Sequence, residues 1–348
     1  MKAGIFDPYL DTLGGGERYC LTLAEYLLKN GWQVDIFWDN ESIKRKAVLR
    51  FGLDFTGLNF LPKRKLLRNR FATKGYNLFF WVSDGSIPLL LAKKSILHFQ
   101  VPFHDINGQS CFNKLKLKMV KHIVCNSHFT KKFIDKEYGV NSEVIFPPID
   151  VEKFKPVKKQ KIILSVSRFS RLLQAKRQDV LIDVFKKMCD KGLVGWKLIL
   201  AGGLGVGGRE YFNHLKRRTE LYPIEILGNP NFETLQRLYG QASIFWFASG
   251  FGIDENKFPQ QVEHFGMTVA EAMAAGCVPV VVDKGGPKEI IHHREDGFLW
   301  QTKKDLEKIT LQLIEQNDLL KKISEKVLKS SKRFSKENFC EEFAKIIN

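Results

Sequence analysis

The sequence predicts two α/β domains, each a doubly wound parallel sheet covered by helices. Three observations lead to this class. The 348 residues suffice for two domains of ordinary size, and 44% of them are hydrophobic while 27% are charged. Short β-branched or aromatic runs alternate with longer amphipathic stretches, as they do where crossover helices join parallel strands. The same rhythm restarts after a break near residue 150.

The first half opens with an apolar strand and an amphipathic helix, and the alternation continues to about residue 146. The predicted strands are Lys2–Phe6, Gln33–Trp38, Asn77–Val82, Ser95–Gln100, His122–Asn126 and Glu143–Phe146. The predicted helices are Glu17–Lys29, Asn113–Val120 and Phe129–Tyr138. Ligands of such folds bind beyond the carboxyl ends of the strands, so the loops there are the first candidates for a site.

The break consists of two prolines, Pro147 and Pro148, followed by the Lys-rich residues 151–161, and it predicts a linker. We expect an N-terminal domain over 1–150, a C-terminal domain over 151–332, and a final helix over 333–348 that packs back on the first domain. The predicted strands of the second half are Lys161–Ser167, Trp196–Ala201, Ile224–Leu227, Ser243–Phe247 and Val278–Val282. Its predicted helices are Arg177–Lys191, Glu210–Leu221, Phe232–Gln241, Thr268–Ala275, Lys303–Asn317, Leu319–Arg333 and Lys336–Ile347.

Composition and charge exclude several other classes. No stretch approaches about 18 uncharged apolar residues, so we expect no membrane span, and the early Asp7 and Pro8 argue against a secretory leader. The six cysteines stand alone, without C-x-x-C pairs or zinc spacing. Isolated thiols of this kind are typical of a reduced, cytoplasmic protein without a structural metal.

The formal charge of +17 is spread over both halves and suggests work near polyanions. A solvated surface explains most of these charges equally well. The densest cluster is Lys63–Lys74, six cations with Leu66, Leu67 and Phe71 among them. Each cation adds about 1 kcal/mol near anionic lipid. The segment is therefore a candidate for peripheral contact with the inner membrane face, beside the simpler interpretation of a solvated loop or helix face.

Two glycine-rich loops are candidates for phosphate binding. Gly14, Gly15 and Gly16 follow the first strand and open a helix, where backbone amides favour a negative group. Residues 203–208 formally contain G-x-G-x-x-G, but the next strand ends in Gly228 without the acidic residue of a dinucleotide site. Hydride chemistry on NAD is therefore disfavoured, although the loop remains a candidate wall of a nucleotide pocket.

The second domain carries its candidate charges in two places. Arg168, Arg171, Lys176 and Arg177 follow its first strand, where cations can neutralise a diphosphate. Later, Glu263 and Glu271 lie eight residues apart around Gly266, at the start of a predicted helix. The amides of Met267 and Thr268 would stabilise an anion through the helix dipole, while the two carboxylates accept from hydroxyl groups. A capping acid and a surface acid are the simpler alternative.

These motifs resemble the family 4 retaining glycosyltransferases of the GT-B fold. The segment EHFGMTVAEAMAAGCVPVV matches the E-x7-E signature, and GGGER, SVSRF, LILAGG and GGPKEII add to it across the chain. The nearest likeness is to the mannosyltransferase branch of lipid-linked oligosaccharide assembly. The resemblance implies a hexosyltransferase that uses a nucleoside diphosphate sugar and a saccharide or lipid-linked acceptor. Consistent with its metal-free mechanism, the chain lacks an Asp-x-Asp motif.

The resemblance also implies roles for individual residues. Arg168 and Lys176 would hold the donor diphosphate, and the amides around Gly266, Met267 and Thr268 its distal phosphate. Glu271 would bind the ribose, and Glu263 would contact the transferred sugar. His98 would face the sugar and the attacking hydroxyl as a second catalytic residue, and Gly228 would border the base. Gly14, Gly15 and Gly16 would approach donor phosphate or acceptor. No cofactor and no metal ligand are expected.

The chain departs from the family pattern at two points. The spacing from Arg168 to Lys176 is long, which leaves Arg171 or Arg177 as substitutes, and Phe247 stands where relatives often carry His. Two other functions remain open at this stage. A nucleotide-sugar epimerase on the same fold would release an altered free sugar. A non-catalytic basic binder of membrane or nucleic acid would bind with a steep salt dependence, but no nucleic-acid motif supports it.

Overall fold

The computed structural model describes residues 1–69, 71–170, 175–205 and 207–347. The chain folds into two compact units, of which the first combines residues 1–148 with the last helix and the second spans Ile149–Ser335. Each unit contains one parallel sheet, of seven strands in the first and six in the second. The predicted fold class, two doubly wound α/β domains, is confirmed.

The sheet of the first unit has its earliest strand near the middle. The strands are β1 (Lys2–Phe6), β2 (Gln33–Phe37), β3 (Leu58–Leu61), β4 (Leu78–Val82), β5 (Lys94–Phe99), β6 (His122–Cys125) and β7 (Glu143–Val144), in the order β3-β2-β1-β4-β5-β6-β7. Ile5 of β1 pairs with Ile36 on one side and Phe80 on the other. The helices are α1 (Gly15–Lys29), α2 (Ser42–Phe51), α3 (Lys63–Leu67), α4 (Cys111–Leu117) and α5 (His128–Tyr138).

The sheet of the second unit repeats this winding. Its strands are β8 (Gln160–Val166), β9 (Lys197–Gly202), β10 (Ile224–Gly228), β11 (Ala242–Phe247), β12 (Val278–Val282) and β13 (Phe298–Trp300), in the order β10-β9-β8-β11-β12-β13. Its helices are α6 (Gln178–Asp190), α7 (Gly208–Arg218), α8 (Phe232–Gln241), α9 (Met267–Ala274), α10 (Pro287–Ile290), α11 (Lys303–Glu315) and α12 (Asn317–Ser331). The chain ends in α13 (Lys336–Ile347), which returns to the first unit.

Alternate residues of the first sheet build different cores. Phe80 of β4 belongs to the cluster beneath α1, α2 and α13, where Phe343 also packs. Phe79 and Trp81 point to the opposite face, which is covered by α3, α4 and α5. None of the described helices is both long and apolar enough to cross a membrane.

The structure contains five short or polar elements that the sequence pattern does not predict. They are α2, α3, β3, α10 and β13. The strand β13 has three residues and α10 has four, which is too short for a periodic signal. The expected linker also differs, because Ile149 and Phe154 are buried in the second unit and the Ile149 amide donates to the Phe334 carbonyl at 2.7 Å.

Candidate functional site

The second sheet reverses its strand order at β8. The chain leaves β8 toward β9 on one side and later returns as β11 on the other side. A parallel sheet opens a crevice at the carboxyl end of such a switch point. The described parts of the loops that follow β8 and β11, residues 167–170, 175–177 and 248–266, therefore border the natural binding position of this unit.

An ion pair joins these two loops. Lys176 Nζ lies 2.5 Å from Glu263 Oε2, and the Lys176 side chain is only 8% exposed. Burial alone would raise the pKa of Glu263, but the charges of Lys176, His264 and Arg168 hold it below its ordinary value. Glu263 is therefore ionised at neutral pH and can accept hydrogen bonds from hydroxyl groups.

The Glu263 loop is fixed by close contact with a second glycine-rich loop. The Gly286 amide donates to the Glu263 carbonyl at 2.8 Å. A Cβ atom on Gly286 would lie 1.9 Å from the His264 carbonyl oxygen, so only glycine fits. Gly266 has φ +108° and ends this loop directly before α9. The backbone thereby presents the first amides of α9, including those of Met267 and Thr268, which lie outside the intrahelical ladder.

Glu271 lies in the second turn of α9 and is oriented by a buried tyrosine. The Tyr239 hydroxyl donates to Glu271 Oε2 at 2.9 Å. Tyr239 is fully buried and packs against the rings of Phe154 and Phe245. Burial and the Glu271 charge raise the pKa of Tyr239, so its hydroxyl keeps the proton that it donates. The sequence does not point to Tyr239, because its contacts with Glu271 of α9 and Phe245 of β11 depend on tertiary packing, and no local pattern in α8 indicates them.

The basic residues that the structure describes in the loop after β8 differ in their surroundings. Arg168 is exposed at the end of β8 and acts on Glu263 electrostatically. Arg177 is held by other partners, since Nη1 donates to the carbonyl of Phe251, in the loop after β11, at 2.7 Å and Nε donates to Asp179 Oδ1 at 3.2 Å. Arg171 lies outside the described residues. The geometry therefore favours Lys176 over Arg177 as the cation of the crevice.

The loops after β9 and β10 lie at the same edge of the sheet. Leu204 N donates to Asn229 Oδ1 at 2.9 Å, which ties the two loops together beside Gly228. A Cβ on Gly228 would meet the Phe212 ring at 3.1 Å. Val206, in the G-x-G-x-x-G segment, lies outside the described residues. Phe247, at the end of β11, is buried, so its side chain belongs to the core of the unit.

In the first unit, the glycine loop is capped from within its own helix. The Gly14 amide donates to Glu17 Oε2 at 2.5 Å, and Gln100 Nε2 donates to the Gly16 carbonyl at 3.2 Å. Asp7 precedes this loop at the end of β1 and is 1% exposed. Burial, and after it the charge of Glu17, raises the pKa of Asp7 to about 7. The position of an acid directly after the first strand is the sequence signal that points to Asp7.

His98 occupies a different environment from the expected one. Its ring is fully buried, stacks on Tyr19 at 4.1 Å between centroids, and places Nδ1 3.0 Å from the Val124 carbonyl. Burial lowers the pKa of His98 to about 3, so the ring is neutral. The side chain presents no surface to a substrate in this structure, and its catalytic assignment rests on the resemblance alone.

Two doubly wound sheets, with a basic crevice and a helix start at the switch point of the second, are the features of a GT-B glycosyltransferase. Comparison with known families agrees. Residues 148–330 match the family described as glycosyl transferases group 1, and residues 13–153 match glycosyltransferase family 4. The chain belongs to the glycosyl transferases group 1 family.

Individual proteins are similar over most of the chain. A GDP-Man:Man(3)GlcNAc(2)-PP-Dol alpha-1,2-mannosyltransferase of Dictyostelium discoideum is 27% identical over 67% of this chain and 47% of its own length. The chain thus spans about half of that relative. An uncharacterized glycosyltransferase of Haemophilus influenzae is 26% identical over 99% of both chains.

Solved structures show the same fold. A glycosyltransferase from Rickettsia africae superposes with a TM-score of 0.81 at 19% identity, over 99% of this chain and 97% of its own. Anabaena HepE, solved in complex with UDP, superposes with a TM-score of 0.75 at 18% identity, over 99% of both chains. At these identities the likeness establishes the GT-B fold.

Proposed function

We propose that this chain transfers a hexose, by similarity mannose, from a nucleoside diphosphate sugar to a saccharide or lipid-linked acceptor. The observation that carries the proposal is the Lys176–Glu263 pair beside the start of α9, at the switch point of the second sheet. It combines a cation and helix amides, which suit a diphosphate, with an ionised carboxylate, which suits sugar hydroxyls. The UDP complex of the structurally similar HepE supports a nucleotide ligand.

The donor is held by residues of the second unit. Lys176 and Arg168 bind its diphosphate, and the amides of Gly266, Met267 and Thr268 bind the distal phosphate. Glu271, oriented by its 2.9 Å hydrogen bond from Tyr239, binds the ribose hydroxyls, while Gly228 borders the base. The Glu263 carboxylate orients the transferred sugar.

These groups also perform the chemical work. The sugar–phosphate bond breaks as positive charge builds at the anomeric carbon and negative charge builds on the departing diphosphate. Lys176, Arg168 and the α9 amides stabilise the leaving group, and preorganised stabilisation of this kind is usually the largest catalytic contribution. Because the protein supplies this positive charge itself, the reaction proceeds without a metal ion. Retention of configuration follows from the family resemblance, and Glu263 is assigned to orientation rather than to nucleophilic attack.

The acceptor side belongs to the first unit. Gly14, Gly15 and Gly16 are assigned to the acceptor or the donor phosphate. The resemblance assigns His98 to the sugar and the attacking hydroxyl, but its ring is fully buried against Tyr19, so we give it no contact with a substrate. The basic cluster Lys63–Lys74 contacts the anionic inner membrane face, where a lipid-linked acceptor would be presented to a cytoplasmic enzyme. Nucleic acid is not expected as a partner.

A thermal-shift panel of UDP, GDP, ADP and their sugars tests the donor. A matching nucleotide raises the melting temperature, because stabilisation grows as RT ln(1 + [L]/Kd). Product analysis with the matched donor then separates transfer to an acceptor from epimerisation, which releases an altered free sugar. Activity that survives EDTA supports the metal-free reaction. A flat panel, in which no nucleotide stabilises the protein, contradicts the proposal.

A further inference from the structure

One face of the first unit carries exposed apolar side chains surrounded by cations. The residues concerned lie in two segments, 63–74 with α3 and 111–121 with α4. Their outward apolar side chains are Leu67, Phe71, Phe112, Leu115 and Met119. Phe112 is 81% exposed and Leu115 is 67% exposed, values that are unusual for such large apolar residues.

Both segments pack on the same face of the sheet. Leu66 of α3 is buried in the cluster that contains Phe79, and Leu117 of α4 is buried in the cluster that contains Leu97. Trp81 and Val120 pack against both clusters, which joins them beneath the two helices. Each helix therefore fixes one leucine inward and leaves its neighbouring apolar residues outward on the same side of the sheet.

The charge of the two segments has a single sign. Together they contain ten lysines and arginines and no acidic residue, and Arg70 among these lies outside the described residues. Lys63 pairs with Asp39 at 3.9 Å, and Lys116 donates to the Ile87 carbonyl at 2.8 Å. Within the described chain, the other cations of the two segments form no ion pair. The charge is thus available to an external anion.

We infer that the described residues of segments 63–74 and 111–121 form one docking surface for an anionic lipid bilayer, with Phe112 and Leu115 of α4 inserting among the headgroups. Cations and exposed aliphatic side chains together match the interface of a bilayer, where anionic headgroups lie beside acyl chains. A nucleic acid could bind the cations through its phosphates and stack its bases on the aromatic rings, but it offers no apolar contact for Leu67, Leu115 and Met119. The inference extends the membrane contact proposed for Lys63–Lys74, while its test needs no sugar transfer.

The test is flotation of the full-length protein with phosphatidylcholine vesicles, with and without about 30 mol% phosphatidylglycerol. We expect binding to the anionic vesicles only. The double substitution Phe112→Ser and Leu115→Ser should reduce that binding about tenfold, because two apolar groups no longer leave water. The matched control changes Val194 and Leu221 to Ser, two apolar residues of the second unit that are at least as exposed, and should bind like the wild type.

Three results would overturn the inference. One is equal or absent binding to both kinds of vesicle. Another is equal loss of binding in the Val194 and Leu221 control. The last is evidence of a partner other than lipid, seen either as loss of a dimer in sedimentation velocity when Phe112 and Leu115 are substituted or as preferred binding of a short RNA duplex over vesicles. Melting temperatures of all variants, with and without the matched nucleotide, separate failure of the surface from failure of the fold or of the donor proposal.

Discussion

The two sheets place a carboxyl group in the loops of their switch points, and the two carboxyls have opposite pKa shifts. Asp7 follows β1, and burial raises its pKa to about 7. Glu263 lies in the loop after β11, where burial acts in the same direction but Lys176 and further cations outweigh it. The same topology therefore gives an internally capped loop beside a carboxyl that titrates near neutral pH in one unit, and an ionised, ion-paired carboxyl in the other. The difference lies in the cations around Glu263, chief among them Lys176, and it explains why we assign the diphosphate to the second unit.

The largest expected effect comes from removing that cation or its partner. Lys176→Ala and Glu263→Ala should each lower sugar transfer by about 10²–10³-fold, because each removes a charge placed for the transition state. The control is Lys191→Ala, which breaks the 2.5 Å ion pair with Glu307 at the other end of α6. Steady-state kinetics with the matched donor measure the effect. A wild-type rate in Lys176→Ala would refute the diphosphate assignment.

The next effect separates the two carboxyls by pH. The pKa of Asp7 is higher in the folded state than its ordinary 3.8, so its stability contribution is full below about pH 4 and is lost as pH rises through about 7. Asp7→Asn should remove this loss and stabilise the protein at pH 8, by about 2–4 kcal/mol. Glu263→Gln should have the opposite effect on the pH dependence of stability. The pKa of Glu263 is lowered in the folded protein, so the ionised carboxylate contributes stability above its ordinary pKa, and this contribution is lost as the pH falls.

Urea unfolding of both variants between pH 4 and pH 8 measures these slopes. Asp7→Asn should show a flatter profile than the wild type across this range. If the unfolding free energy of Asp7→Asn depends on pH as it does in the wild type, Asp7 ionises normally in the folded protein. That result would contradict the difference in pKa shift between the two switch points.

A smaller effect compares the glycines of the two loops. Gly286→Ala drives its Cβ against the His264 carbonyl, whereas Gly16→Ala meets the end of the flexible Gln100 side chain. We expect a loss of about 2–3 kcal/mol in unfolding free energy for Gly286→Ala and below about 1 kcal/mol for Gly16→Ala. Chemical denaturation at pH 7 measures both. Equal losses would indicate that the Glu263 loop is not held rigidly.

The smallest effect concerns the orientation of Glu271. Tyr239→Phe removes one hydrogen bond, worth about 1 kcal/mol, and keeps the packing of the ring. Donor affinity should fall about fivefold, with the rate at saturating donor nearly unchanged. Tyr222→Phe is the control, since its hydroxyl bonds to Asp190 at the opposite end of the sheet. A fall in rate without a fall in affinity would contradict a role in ribose binding.

Much of this arrangement could be predicted from the sequence. The valine-rich β12 is buried on both faces, and its pattern shows this directly. The spacing of Glu263 and Glu271 around Gly266 predicted a loop followed by a helix. Burial of His98 beneath Tyr19 could not be predicted, because it depends on a helix and a strand that are about 80 residues apart. The Tyr239–Glu271 bond depends in the same way on tertiary packing.

Calorimetric titration with UDP and GDP tests the central claim most directly. One of the two should bind the wild-type protein, and Lys176→Ala should weaken its Kd at least tenfold while Lys191→Ala leaves it unchanged. Binding that is equally tight in Lys176→Ala, or that is lost instead on substitution of Glu17 in the first unit, would contradict a diphosphate site at the start of α9.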